Sequence, residues 1–130
     1  MSELPGDLLY TNDHEWLRRE GDGSVTVGIT EHAANALGDL VYVELPEVGQ
    51  DVETGGEMAV VESVKAASDV YAPVSGSIAA VNEALSDDPE KINADPYGEG
   101  WIVKMDVADL DEGELLSPDA YQQLLDELDD

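Results

Sequence analysis

Hydrophobic and polar residues alternate in short runs over the first hundred positions, the period-2 pattern of strands with one buried face. Ser24-Val25-Thr26-Val27-Gly28-Ile29 follows the turn Gly21-Asp22-Gly23 and reads as the return arm of a hairpin from His14-Glu15-Trp16-Leu17-Arg18. Leu40-Val41-Tyr42-Val43-Glu44-Leu45 is a further strand, stopped by Pro46. Similar runs follow at 58–64, 67–72, 77–81 and 101–105. Short strands divided by Gly and Pro turns predict a mainly β fold, a small barrel or sandwich.

Two helices interrupt the alternation. Thr30 is placed to cap a short one over 31–37, with Gly38 at its C-terminal end. Near the C-terminus Ser117 is an N-cap and Pro118 takes the first helical position. Tyr121, Leu124, Leu125 and Leu128 then fall at i, i+3, i+4 and i+7, one apolar stripe for docking on the sheet. Ser86-Asp87-Asp88-Pro89 and the segment 93–100 read as loops. No repeat or linker divides the chain, and 130 residues with 42% hydrophobic content suffice for one core. The expectation is a single domain over 1–130.

Charge changes this picture. The chain holds 31 Asp+Glu against 5 Lys+Arg, a net charge of -26. That balance argues against nucleic acid or an anionic membrane as a partner. Two Trp, five Tyr and regular apolar alternation argue against disorder. The remaining reading is a halophilic domain, adapted to concentrated salt, where the Debye length falls toward ~3 Å at about 1 M. No Cys is present, so disulfides, thiolate metal sites and thiol nucleophiles are excluded. The opening Met1-Ser2-Glu3-Leu4-Pro5-Gly6 has neither a basic nor an apolar leader region, and no apolar run nears the ~20 residues of a membrane span. A soluble cytoplasmic protein is expected.

Candidate chemistry concentrates in 60–73, where two apolar-rich strands flank Lys65. With Lys65-Ala66 as the tip, Val64 would face Ala67, Val61 would face Val70 and Val60 would face Tyr71. Glu62 would then face Asp69, a like-charge pair that costs stability. The tip lacks the Asn-Gly or Gly-X of a tight primed turn, which favours type I geometry. Lysine often merely blunts a sheet edge. Against that, the chain holds only three lysines, Lys65, Lys91 and Lys104, and uses acids almost everywhere else. From the hairpin alone, a modified lysine and a plain surface lysine stand about level. Ser63 and Ser68 sit in no nucleophile elbow and read as small residues clearing space for a modifying enzyme. His14 and His32 lie in different elements, so no metal site is expected; packing of Trp16 accounts for the placement of His14.

A resemblance adds to this reading. Tyr10-Thr11-Asn12-Asp13-His14-Glu15-Trp16, Val27-Gly28-Ile29-Thr30-Glu31-His32-Ala33, and the run from Leu37-Gly38-Asp39 to Glu44-Leu45-Pro46 look like successive blocks of the glycine cleavage H protein family. So do Glu62-Ser63-Val64-Lys65-Ala66-Ala67-Ser68-Asp69, Ala72-Pro73-Val74-Ser75-Gly76 and Asp95-Pro96-Tyr97-Gly98-Glu99-Gly100-Trp101. The blocks run in order over nearly the whole chain.

The resemblance implies a lipoyl-type barrel-sandwich hybrid of two small antiparallel sheets, with a short internal helix and a C-terminal helix. It implies lipoate covalently bound to Lys65, with Glu62 and Gly76 read by the lipoate-attaching enzyme. Asp13, Glu15 and Asp69 match the cleft into which the loaded arm folds back. The arm would accept an aminomethyl group from the pyridoxal-phosphate-dependent glycine decarboxylase. It would pass that group to the aminomethyltransferase that uses tetrahydrofolate, and dihydrolipoamide dehydrogenase would reoxidise it. The expectation is a monomeric carrier with no catalytic residues of its own. Two alternatives stand beside it. One is a relay donating lipoate to other proteins. The other is a lipoyl or biotinyl domain of another complex, whose lysine usually sits in Asp-Lys-Ala or Met-Lys-Met and which lacks the His-Glu-Trp and Tyr-Gly-Glu-Gly-Trp blocks.

Overall fold

The computed structural model describes residues 8–11, 14–20, 23–107 and 115–128. The described strands are β1 (Leu9–Tyr10), β2 (Glu15–Arg19), β3 (Ser24–Ile29), β4 (Leu40–Glu44), β5 (Asp51–Val52), β6 (Glu57–Ser63), β7 (Ala67–Tyr71), β8 (Gly76–Val81) and β9 (Val103–Asp106). The helices are α1 (Glu31–Leu37), α2 (Ala84–Asp87), α3 (Glu90–Ala94) and α4 (Pro118–Leu128). One sheet has six strands in the order β1-β2-β3-β9-β8-β5, and the other has three in the order β4-β6-β7. Every pairing is antiparallel. This is the barrel-sandwich hybrid of two antiparallel sheets.

The alternation does what it predicts. Val25, Val27 and Ile29 of β3 enter one apolar cluster together with Val43, Val61 and Val70 of the smaller sheet. The other face of β3 is also covered, since Trp16 stands directly opposite Gly28 and the indole lies over it. Trp16 belongs to a second buried cluster with Leu8, Tyr10 and Tyr121, against which Leu124 and Leu125 pack. The α4 stripe docks as its spacing requires; the side chain of Leu128 lies outside the described residues. The Ser117 side chain accepts from the Ala120 N–H at 3.2 Å, and the Thr30 side chain accepts from the Ala33 N–H at 3.3 Å. Both caps read in the sequence are therefore made.

Other expectations fail. Parts of 86–89 and 93–100, read as loops, belong to α2 and α3, so α1 is not alone inside the fold. Each is about one turn long, too short to show a period, and each is pinned by a buried side chain, Leu85 or Ile92. Here tertiary packing overrides weak propensity. Pro89 precedes α3, where its missing N–H costs nothing. Two-residue β5 was equally invisible to periodicity. The turn residues Gly21 and Asp22 lie outside the described residues, while the Glu20 N–H donates to the Ser24 carbonyl at 3.0 Å on either side of them.

Arg18 pairs with Glu20 at 3.2 Å and Lys91 with Glu99 at 3.6 Å, at the surface in both cases. Exposed pairs like these contribute only ~0.2–1 kcal/mol each, so they do not offset the repulsion within a charge of -26. The melting temperature should therefore climb steeply as salt rises from low to molar concentration. Thermal melts across a salt series check this. A midpoint that stays flat or falls would show that the acidic surface is no adaptation to salt.

Candidate functional site

Lys65 stands at the tip of the β6–β7 hairpin, exposed to solvent. The register differs from the expected one by two residues. Glu62 is paired with Ala67, Val61 with Ser68, Val60 with Asp69 and Ala59 with Val70. The tip is thus the four residues Ser63-Val64-Lys65-Ala66, not Lys65-Ala66 alone. The like-charge pair of Glu62 with Asp69 does not form, because Glu62 sits across from Ala67. Without Asn-Gly or Gly-X, a longer loop is the favoured way to close such a hairpin. The Ser63 N–H donates to the Ala66 carbonyl at 2.7 Å. Val64, 78% exposed, projects into solvent beside the lysine, where burial gives it no reason to be apolar.

The lysine side chain leans back over the C-terminal end of α1. A Cβ built on Gly38 would lie 3.5 Å from Lys65 Cε. Gly38 ends the helix at φ +85°, in the left-handed region that favours glycine. Asn93 of α3 clasps this corner. Its side chain accepts from the Leu40 N–H at 2.9 Å and donates to the Gly38 carbonyl at 2.8 Å. The loop beside Lys65 is therefore fixed from below. Nothing in the sequence pointed to Asn93, which stood in a segment read as loop.

Two of the carboxylates expected at a cleft converge on β7. Glu15 is almost wholly buried, 2% exposed. One of its oxygens accepts from the Tyr71 N–H at 2.6 Å and the other from the Thr11 hydroxyl at 3.2 Å. β7 is an edge strand, and Glu15 occupies its open side. Asp69 lies two residues before Tyr71 and so turns its backbone the same way. Its side chain shares the outer face of the small sheet with Glu62 and Glu44, through the rows Glu44–Val60–Asp69 and Tyr42–Glu62–Ala67. Asp13 lies outside the described residues.

Gly76 is set apart from this group. It begins β8 in the larger sheet, opposite Val52, after the chain has run the length of β7 away from the tip, about 16 Å for five residues. A Cβ there would collide with the backbone carbonyl oxygen of Asp106. That collision alone accounts for a glycine at this position.

His14 is held differently from the expectation. Its Nδ1 lies 2.8 Å from the Tyr121 hydroxyl, which also meets the Thr30 hydroxyl at 2.7 Å. Its ring lies 4.6 Å from that of His32. Its backbone is left-handed at φ 66°, an uncommon conformation for a residue with a side chain. Burial pushes the Tyr121 phenol up to about 12, so it stays protonated at neutral pH. The cluster thus ties α4 to the loop that delivers Glu15. Among the described residues no group of three or more His, Cys, Asp or Glu could hold a metal ion, and no helix is long and apolar enough to cross a membrane.

Fold and tip together define a barrel-sandwich domain that presents a single lysine on an exposed hairpin. The family model of the glycine cleavage H-protein matches residues 8–128. The chain is 61% identical over 126 residues to the glycine cleavage system H protein of Stenotrophomonas maltophilia (strain K279a), covering 96% of each. It is 62% identical over 123 residues to that of Psychrobacter sp. (strain PRwf-1), covering 94% of this chain and 98% of the relative. The crystal structure of a glycine cleavage system H protein from Mycobacterium marinum superimposes with a TM-score of 0.84 at 45% identity, over 97% of this chain and 99% of that one. The chain belongs to the glycine cleavage H-protein family.

Proposed function

We propose that this chain is the lipoyl-bearing carrier of a glycine cleavage system, with lipoate joined to Lys65. In this reading it shuttles the aminomethyl group of glycine from glycine decarboxylase to the tetrahydrofolate-dependent aminomethyltransferase, and dihydrolipoamide dehydrogenase resets it. The observation that carries the reading is Lys65 alone at an exposed tip, inside a family match that spans nearly the whole chain. Lipoate, once attached, supplies the sulfur that takes up and releases the aminomethyl group. The chain's own residues position and shelter. The hairpin holds the amine where an attaching enzyme and three partners can reach it. We read the chain as one monomeric cytoplasmic domain and a carrier rather than an enzyme, and its acidic surface as an adaptation to salt.

Glu15 and Asp69, with Asp13, are assigned to the cleft that shelters the loaded arm. The arm's end then bears a primary amine, cationic near neutral pH, and charge-assisted hydrogen bonds to carboxylates hold such a group. Glu15 is already fixed in place by Tyr71 and Thr11, the preorganisation that a docking site needs. Each carboxylate is expected to contribute about 1 kcal/mol, between the value of a charged hydrogen bond and that of an exposed pair. That amounts to several-fold in docked population.

The test loads lipoylated protein using glycine and the decarboxylase, isolates it, and follows its decay to ammonia and formaldehyde. Glu15→Gln keeps an oxygen to accept from Tyr71, so it and Asp69→Asn should fold and lipoylate normally yet decay several-fold faster. Equal decay in all three proteins removes the two carboxylates from the cleft. A lipoylated protein that cannot be loaded at all turns the assignment from carrier to relay.

A further inference from the structure

Serine is the one residue of the tip that presents Lys65 whose type is common in turns. Ser63-Val64-Lys65-Ala66 contains no Gly, Pro, Asn or Asp, and no residue in it has a positive φ. One side chain supplies what the turn residues do not. The Ser63 hydroxyl oxygen accepts from the Lys65 N–H at 3.3 Å and from the Ala66 N–H at 3.1 Å, and its own O–H donates to the Ala66 carbonyl at 3.2 Å. A hydroxyl has one donor and two acceptor positions, so all of its capacity is spent inside this turn. The bonds run to the backbone of the lysine itself and of the next residue. Val64, between Ser63 and Lys65, makes no such bond and points outward.

We propose that Ser63 is a positioning residue, whose hydroxyl fixes the turn in the shape that the lipoate-attaching enzyme accepts. This rests on the reading of Lys65 as the attachment site. In attachment the neutral Lys65 amine attacks the carbonyl carbon of an activated lipoyl donor of the acyl-adenylate class. The new C–N bond forms as the C–O bond to adenylate breaks; AMP leaves with the electron pair, and the amine gives up a proton to a base. That step needs the amine delivered along a defined line, which a lysine on a loose turn offers only part of the time. A partner that binds one conformer sees its apparent affinity fall in proportion to that conformer's population. The turn is solvent-exposed, so water can satisfy the two N–H groups when the hydroxyl is gone. Loss of the hydroxyl should therefore leave the fold intact and change how often the turn is competent.

The proposal departs from a size argument, under which a small residue clears room for the enzyme. The two are separated by Ser63→Ala, which is smaller and lacks the hydroxyl, and Ser63→Thr, which is larger and keeps it. Unmodified parent and both variants are given to a lipoate–protein ligase with lipoate and ATP, and modification of Lys65 is followed by peptide mass. Ser63→Ala should raise KM for the acceptor protein by about tenfold, with kcat within about twofold. Ser63→Thr should return KM to within about threefold of the parent. The rate at which Lys65 reacts with a small N-hydroxysuccinimide ester, which needs no particular turn, should be the same in all three. Parent protein left bare at Lys65 overturns both the attachment reading and this one. If the parent is modified at Lys65, this proposal alone is overturned by Ser63→Ala behaving as the parent, by Ser63→Thr being impaired as much as Ser63→Ala, or by an equal loss of reactivity toward the small ester.

Discussion

Lys65→Arg is expected to fold as the parent does and to lose all activity as a carrier. The guanidinium keeps its charge at any pH the protein survives, so it presents no neutral amine to an activated acyl group. The substitution touches no core contact. Lys65 is exposed and its side chain leans over Gly38, so the change in stability should stay within about 0.5 kcal/mol. The measurement is glycine-dependent CO2 release in a mixture of the partner enzymes, lipoate, ATP and ligase, with each variant in turn. Lys65→Arg should give the rate of the mixture without this protein. Lys91→Arg and Lys104→Arg should give the parent's rate. A Lys65→Arg protein that retains part of the rate would place the arm elsewhere.

A large effect on stability is expected at Gly28, in the sheet that does not carry the lysine. Gly28 stands opposite Trp16, and a Cβ there would come within 2.7 Å of three atoms of the indole. The ring cannot easily yield, because its Nε1 donates to the Pro96 carbonyl at 2.8 Å and Arg18 stacks over it at 5.5 Å. Overpacking a core costs about 1–3 kcal/mol. Loss of the indole hydrogen bond adds roughly 1 kcal/mol. Gly28→Ala should therefore lose about 3 kcal/mol and melt about 10 °C lower. Chemical denaturation and thermal melts measure both. Trp16→Phe in the same chain should shrink the penalty, since the six-membered ring leaves room, and a double-mutant cycle reads that coupling. A Gly28→Ala protein as stable as the parent would show that Trp16 is not held where the structure has it.

These two positions show which features were legible in the sequence. The pairing of β2 with β3, the Thr30 and Ser117 caps and the Tyr121, Leu124 and Leu125 part of the α4 stripe were all written in local chemistry, and each stands as read. The placement of Lys65 at a hairpin tip was legible because two apolar-rich strands flank it. The register of its hairpin was not. Period-2 alternation is unchanged by a shift of two residues, so the pattern of apolar positions could not choose between tips. In the observed turn the Ser63 hydroxyl bonds the Lys65 and Ala66 N–H groups, and a serine two residues before a lysine gives only a weak signal of such a turn. Asn93 and the shelf under Gly38 depend on α3, a single turn that packing alone creates. At Gly76 the contact that requires a glycine comes from β9, thirty residues later in the chain, which no local pattern shows.

The central claim is that Lys65, and no other lysine, bears the cofactor. The surroundings of the other two support that. Lys91 is half-buried on α3 beside Glu99, and Lys104 lies in β9 with its ammonium 5.5 Å from the Trp101 ring. Neither stands on a projecting turn. The most direct measurement is peptide mapping by mass spectrometry of protein purified from its native host. All lipoyl should lie on the peptide containing Lys65, with Lys91 and Lys104 unmodified. Lipoyl found on Lys91 or Lys104, with Lys65 bare, would contradict the account.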